Sequence, residues 1–136
     1  IRKYAMDNGF SDSLHITGWV DNPMSYVELF DVACLLSRWE GFGLALPEYM
    51  MASKPIVASR VDAIPNIIRD GENGLLVEVD DAVGASEAVL RIYREDGLRN
   101  RLVAQGIEDV HNKFNARRVS EEHGRLFEES LRNSQK

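Results

Sequence analysis

The sequence predicts an α/β fold with a mainly parallel sheet, on three observations. Two apolar runs of strand length, 32–37 and 55–59, are continuous rather than alternating, the pattern of strands covered on both faces. Turn clusters and helix-start signals lie between such runs, so strands and helices alternate over the first 80 residues. After Asp80-Asp81 the pattern becomes helical throughout.

Each element follows in chain order. Tyr4-Ala5-Met6 gives way to Asn8-Gly9, a C-terminal stop, so residues 1–10 read as the end of a helix. Leu14-His15-Ile16-Thr17-Gly18 reads as a short strand. Asp21-Asn22-Pro23 supplies a cap and a first-turn proline for a helix running to about Phe30. The strand at 32–37 comes next, then a loop bearing Gly41 and Gly43, then a helix that opens around Pro47 and runs to about Ser53. The strand at 55–59 leads to a short helix at 64–68. Asp70-Gly71-Glu72-Asn73-Gly74 is a turn, and a fourth strand follows at 74–77. Helices fill 82–95, 98–113 and 116–132, split at Gly97 and around Asn115. Val89, Ile92 and Tyr93, and later Leu126, Phe127 and Leu131, recur at helical spacing.

Composition narrows the function classes. With 136 residues, 44% of them hydrophobic and 28% charged, the chain has the size and balance of one globular domain. Sixteen basic residues against 22 acidic ones leave a formal charge of −6, which argues against nucleic acid or an anionic membrane as partner. Cys34 is alone, so no intrachain disulfide forms, and a reducing compartment is the simpler expectation. No apolar run approaches the roughly 20 residues that span a bilayer. No signal peptide is visible, and a first residue other than Met hints at a piece of a longer protein.

The chemistry concentrates between Ser37 and Leu46. Ligands of open α/β sheets bind outside the carboxyl ends of the strands, and this loop leaves the most apolar strand. Gly41 and Gly43 let the backbone approach a ligand, and a helix start suits phosphate. Glu40 and Glu48 flank the loop, and a carboxylate can accept from two neighbouring hydroxyls, as sugar and ribose rings present them. Plainer roles exist for each residue. Glu48 favours the helix dipole without any ligand, and Glu40 suits a solvated loop. Trp19 and Trp39 suit a core, Cys34 an inert apolar strand position, and Arg38 the surface. No dinucleotide fingerprint is present, because position 46 is Leu, and no Asp-x-Asp motif occurs. His15, His111 and His123 show no metal-ligand spacing.

Glu40-Gly41-Phe42-Gly43-Leu44-Ala45-Leu46-Pro47-Glu48, a glutamate pair seven residues apart with Gly-Phe-Gly after the first, resembles the signature of the retaining nucleotide-sugar glycosyltransferases of the GT-B fold, the group-4 family. The resemblance extends through Met50, 54–59, Ile64-Pro65 and 70–77, and upstream through Gly18, Leu29 and Asp31-Val32, over roughly residues 1–115. It implies a partial Rossmann-like sheet with helices on both faces and a helical C-terminal tail. On this basis residues 1–136 form a single, incomplete donor-binding domain, α/β over 1–80 and helical over 81–136. The parent enzyme would transfer a sugar from a nucleotide diphosphate to an acceptor hydroxyl with retention, while the isolated chain is expected to be inactive. Glu40, the catalytic candidate, would contact the donor sugar. Gly41, Phe42, Gly43 and Leu44 would meet sugar and diphosphate, Glu48 would hold the ribose, and Trp19-Val20 would touch the base. No metal or cofactor is expected, the partners are the donor, a missing N-terminal domain and an acceptor, and the location is cytoplasmic or at the cytoplasmic membrane face. A non-catalytic nucleotide-binding module, or a related epimerase or phosphorylase, is the alternative.

Tyr49, Ser53, Asp62-Ala63 and Asn66 depart from the family pattern, which has small residues, a glycine, a Gly-Gly pair and a glutamate there. Ser53 would cost about 1 kcal/mol if its position is left-handed. The family's strand order makes the runs at 32–37, 55–59 and 74–77 a contiguous half-sheet, leaves the strand at 14–18 without its normal neighbours, and exposes a sheet edge.

Overall fold

A computed structural model of the protein describes residues 1–114 and 116–133. Three parallel strands, β1 (Ala33–Leu35), β2 (Ile56–Ser59) and β3 (Leu75–Val77), lie in the order β1-β2-β3. Cys34 stands opposite Val57, and Ala58 opposite Leu76. The half-sheet expected from the sequence is therefore present, with β2 at its centre.

Parallel neighbours need crossovers, and short helices supply them. After α1 (Arg2–Asp7) and α2 (Pro23–Val27), α3 (Ala45–Met51) joins β1 to β2 and α4 (Ile64–Ile67) joins β2 to β3. Leu46, Met50, Ile64, Ile67 and Ile68 pack with Ile56 and Ala58 on one face of the sheet. On the other face, α5 (Ala82–Arg94) and α6 (Asp96–Lys113) bring Ala85, Ile92, Leu98 and Leu102 against Val57, Leu75 and Val77. Alternation along β2 sends Ile56 and Ala58 one way and Val57 the other, so one strand feeds both cores. The length of α6 lets Val110 reach the first core while Leu98 and Leu102 serve the second. At its crossing with α3 stands Gly106, where a Cβ would come within 3.3 Å of the Met50 Cγ.

Helix ends follow local chemistry. Pro23 opens α2, although the Asn22 side chain makes no capping bond. The Asp81 side chain caps α5 by accepting from the Gly84 N–H at 2.8 Å. At the end of α3 the Ser53 N–H donates to the Met50 carbonyl and the Lys54 N–H to the Tyr49 carbonyl, the paired bonds of a Schellman stop. Ser53 adopts φ +58 there, the left-handed conformation that its departure from glycine put in question, at a cost of about 1 kcal/mol.

Several expectations are corrected. Residues 14–18 form no strand; a 3-10 turn at Ser11–Ser13 precedes them, and Ile16 is half exposed. A strand needs a paired neighbour, and among the described residues β1 pairs with β2 alone. The 32–37 run shortens to three residues and is not covered on both faces, since Cys34 and Leu36 are exposed. Leu36 borders an open apolar groove with Ala82, Ala85, Val89 and Leu90 of α5. The second helix ends at Val27 rather than Phe30. The break between α5 and α6 falls at Glu95, so Gly97 lies inside α6. Tyr93 faces solvent, as do Leu126, Phe127 and Leu131 of α7 (Ala116–Asn133). The break placed around Asn115 lies outside the described residues. No helix among the described residues is long and apolar enough to cross a membrane.

One buried polar network fastens the turn before β3 to α6. Asn73 is 1% exposed and Asp109 5%. The Asn73 side-chain amide donates to Asp109 Oδ2 at 2.7 Å and to the Ile67 carbonyl at 3.0 Å, while its oxygen accepts from the Arg69 N–H at 2.7 Å. Arg69 and Lys113 pair with the same carboxylate at 2.9 and 3.4 Å. Burial pushes the Asp109 carboxyl up, but hydrogen bonds from Arg69 and Asn73 and the charges of Arg69 and Lys113 outweigh it, so its pKa lies below 3.8. A carboxylate depressed in the folded state stabilises fully above its unfolded pKa and loses that contribution as pH falls through the folded value. We expect Asp109→Ala to cost about 2 kcal/mol in urea unfolding at pH 7, and the gap from wild type to narrow below pH 3.8. A gap constant with pH would mean the charge of Asp109 contributes nothing.

Candidate functional site

The loop between β1 and α3 stands at the carboxyl end of the sheet, beside the loops that leave β2 and β3. Gly43 shapes it. Its φ is +79 and it is buried, with a position for Cβ only 3.1 Å from Leu46 Cδ1 and 3.6 Å from Leu35 Cδ2. Only glycine takes that conformation without strain, so the chain turns tightly into α3. The Gly43 carbonyl accepts from the Leu46 N–H at 2.9 Å. By contrast, the N–H groups of Phe42, Gly43 and Leu44 donate to no acceptor among the described residues. Three successive amides without an acceptor among the described residues are a candidate cradle for negative charge.

Glu40 and Glu48 mark the two ends of this cradle. Glu40 is half-buried; its N–H donates to Asp62 Oδ2 at 2.8 Å, and its Oε2 accepts from the Ser37 hydroxyl at 3.4 Å. Glu48 is exposed in the first turn of α3, where the helix dipole favours its charge. Next to it, burial pushes the Tyr49 phenol up, and the Glu48 charge adds to the shift. Gly41 and Leu44 are exposed, and Phe42 meets Phe114, at the end of α6, edge-on with ring centroids 6.3 Å apart. The loop is thus tied to α6 through an aromatic pair.

Other predicted positions fall differently. Trp19 is 95% exposed and Trp39 80%, which rules out the plain core position for either. Val20 is half-buried. Among the described residues no hydrogen bond, ion pair or ring contact joins Trp19 or Val20 to the Glu40 loop. Cys34 is exposed, and partial burial of its thiol pushes its pKa up. The Arg38 Nε donates to Asp80 Oδ1 at 2.8 Å in an exposed ion pair, and that bond raises its pKa further.

Two residues escape sequence reasoning, Asp62 and Asp80. Each follows a strand, and each adopts a left-handed backbone, φ +46 and +63. A signal was present in the departure at Asp62-Ala63, where an aspartate holds a position suited to glycine. A cleft of about 210 Å³ also opens at the strand ends, lined by Ser59, Val77, Glu78, Asp80, Asp81 and Ala85 among others. It includes none of the predicted donor residues, and its carboxylates repel a diphosphate.

The pattern of the family described as glycosyl transferases group 1 matches residues 1–95. A lipopolysaccharide core biosynthesis glycosyltransferase of Rhizobium meliloti, LpsE, is 30% identical over 127 residues, covering 93% of this chain and 37% of its own length. The chain therefore spans little more than a third of that relative. Sucrose-phosphate synthase from Thermosynechococcus elongatus superposes with a TM-score of 0.87 at 25% identity, over 97% of this chain and 34% of that one. HepE of Anabaena, solved with UDP-glucose, has the same fold at 14% identity, with a TM-score of 0.87 over 94% of this chain and 35% of its own.

The Gly43 geometry is directly testable. Gly43→Ala should lower stability by about 1–2 kcal/mol in denaturant unfolding, because the left-handed backbone and the close Leu46 methyl both oppose a Cβ. An unchanged midpoint would contradict the turn as described.

Proposed function

The chain belongs to the glycosyl transferases group 1 family, and we propose that it carries the donor half of the site of a retaining glycosyltransferase. The full-length enzyme moves a sugar from a nucleotide diphosphate to an acceptor hydroxyl and keeps the anomeric configuration. In this reading the free amides of Phe42, Gly43 and Leu44 receive the diphosphate. Glu48 accepts from the ribose hydroxyls and Glu40 from those of the sugar, while Trp19 and Val20 flank the base. The observation that carries it is the loop itself, with three amides that have no partner among the described residues, lying in sequence between two glutamates at the carboxyl end of a parallel sheet. HepE, of the same fold, was solved with UDP-glucose, and this supports a nucleotide-sugar ligand class.

The chemistry divides accordingly. Breaking the bond from the anomeric carbon to the diphosphate oxygen leaves charge on the diphosphate, and fixed amides stabilise it without reorganising. Amides alone are a modest counter-charge, and Arg38 stands in an exposed ion pair with Asp80. We therefore assign the cationic part of the diphosphate clamp, like the acceptor site, to other regions of the full-length enzyme.

Calorimetric titration of the full-length protein with UDP and UDP-glucose tests the roles. Losing hydrogen bonds to a charged group costs about 1.5–3 kcal/mol, or roughly ten- to a hundredfold in affinity. Glu48→Ala should weaken both ligands by that factor, whereas Glu40→Ala should weaken UDP-glucose and spare UDP. Unchanged UDP affinity in Glu48→Ala would remove the ribose assignment. Tight binding without sugar transfer to any acceptor would favour a nucleotide-binding module instead.

A further inference from the structure

Glu40 is not held by its own loop alone. Its backbone N–H donates to the carboxylate of Asp62, 22 positions away in sequence and adjacent in space because β1 and β2 are paired. Asp62 is exposed and has φ +46, in the region that glycine enters freely and other residues enter at a cost. Three described residues other than glycine have positive φ: Ser53, Asp62 and Asp80. The helix stop after α3 accounts for Ser53. The other two each send a carboxylate to the same short stretch, Asp80 to the Arg38 side chain at 2.8 Å and Asp62 to the Glu40 amide at 2.8 Å. A glycine at 62 would satisfy the backbone and lose the bond. The aspartate keeps the bond and accepts the strain, a pattern in which local backbone cost marks a needed side chain.

The consequence for Glu40 is geometric. An anchored amide limits the Glu40 φ, and with it the direction of the Cα–Cβ bond. The Ser37 hydroxyl steadies the far end of the side chain through Oε2. Nothing comparable holds Glu48, which is exposed in the first turn of α3. We propose that Asp62 is a positioning residue: its carboxylate, bonded to the Glu40 N–H, sets the stance of the Glu40 side chain toward the donor sugar. This rests on Glu40 being the group that contacts the sugar.

The test separates sugar from nucleotide. The full-length protein is titrated calorimetrically with UDP and GDP, and with UDP-glucose, UDP-N-acetylglucosamine and GDP-mannose. The ratio of sugar-nucleotide to nucleotide affinity is the sugar increment, and a general folding defect does not change it selectively. Asp62→Gly removes the acceptor and the backbone strain together, so folding is preserved. Asp62→Asn keeps an acceptor oxygen in place. Asp62→Gly should hold nucleotide affinity within about twofold and cut the sugar increment about five- to tenfold, and Asp62→Asn should restore most of it. An intact increment in Asp62→Gly, an equal fall in nucleotide affinity, or equal loss in both variants overturns the assignment. Glu40→Ala distinguishes the levels. If it abolishes the increment while Asp62→Gly does not, only the role of Asp62 fails. If Glu40→Ala also leaves the increment intact, or the wild type shows none, the sugar-contacting role of Glu40 fails and that of Asp62 with it.

Discussion

The burial of β2 is the constraint on which the rest of the structure depends. Ile56, Val57 and Ala58 are fully buried and Ser59 nearly so, with a strand on each side and helices above and below. Burying a side chain such as Ile or Val stabilises by about 1.5–3 kcal/mol, so this segment concentrates more of that gain per residue than any exposed helix. Two cores exist because β2 has two faces. The crossovers α3 and α4, with Val110 of α6, cover one face, and α5 with the start of α6 covers the other. Since all three strands run in parallel, their carboxyl ends coincide, and the three loops that leave them meet at one end of the sheet.

That meeting is where the candidate site lies. The loop after β1 contributes glutamates and free amides. The loop after β2 contributes Asp62, and the segment after β3 contributes Asp80; each carboxylate is bonded to a residue of the first loop. Left-handed backbone recurs at these points, at Gly43, Asp62 and Asp80, where the chain must turn and still present a group. The far side of the same sheet end carries Glu78, Asp80 and Asp81 and suits no diphosphate, so the arrangement is polarised toward the α3 face.

Much of this was legible in the sequence, for reasons that differ by element. The strands at 56–59 and 75–77 were legible because burial on both faces demands an unbroken apolar run, while the order of the half-sheet came from the family resemblance. Gly43 was singled out because glycine lets a backbone turn closely, whereas the left-handed Ser53 came into question only through the glycine that the resembled family carries there. The strand at 14–18 was misjudged because propensity is local, whereas a strand exists only through its partner. Cys34 and the two tryptophans misled for a related reason: composition says how apolar a side chain is, but not whether an element lies against it. Asp62 and Asp80 lie 22 and 42 residues from the atoms they hold, and no spacing rule reaches that far.

In the proposed function, the loop from Glu40 to Glu48 receives a nucleotide diphosphate, amides to the phosphates and Glu48 to the ribose. The most direct measurement is a crystal structure of the full-length protein grown with UDP. The account predicts phosphate oxygens within hydrogen-bond distance of the N–H groups of Phe42, Gly43 or Leu44, and both ribose hydroxyls donating to Glu48. UDP bound elsewhere, with those amides and Glu48 facing only water, would contradict it.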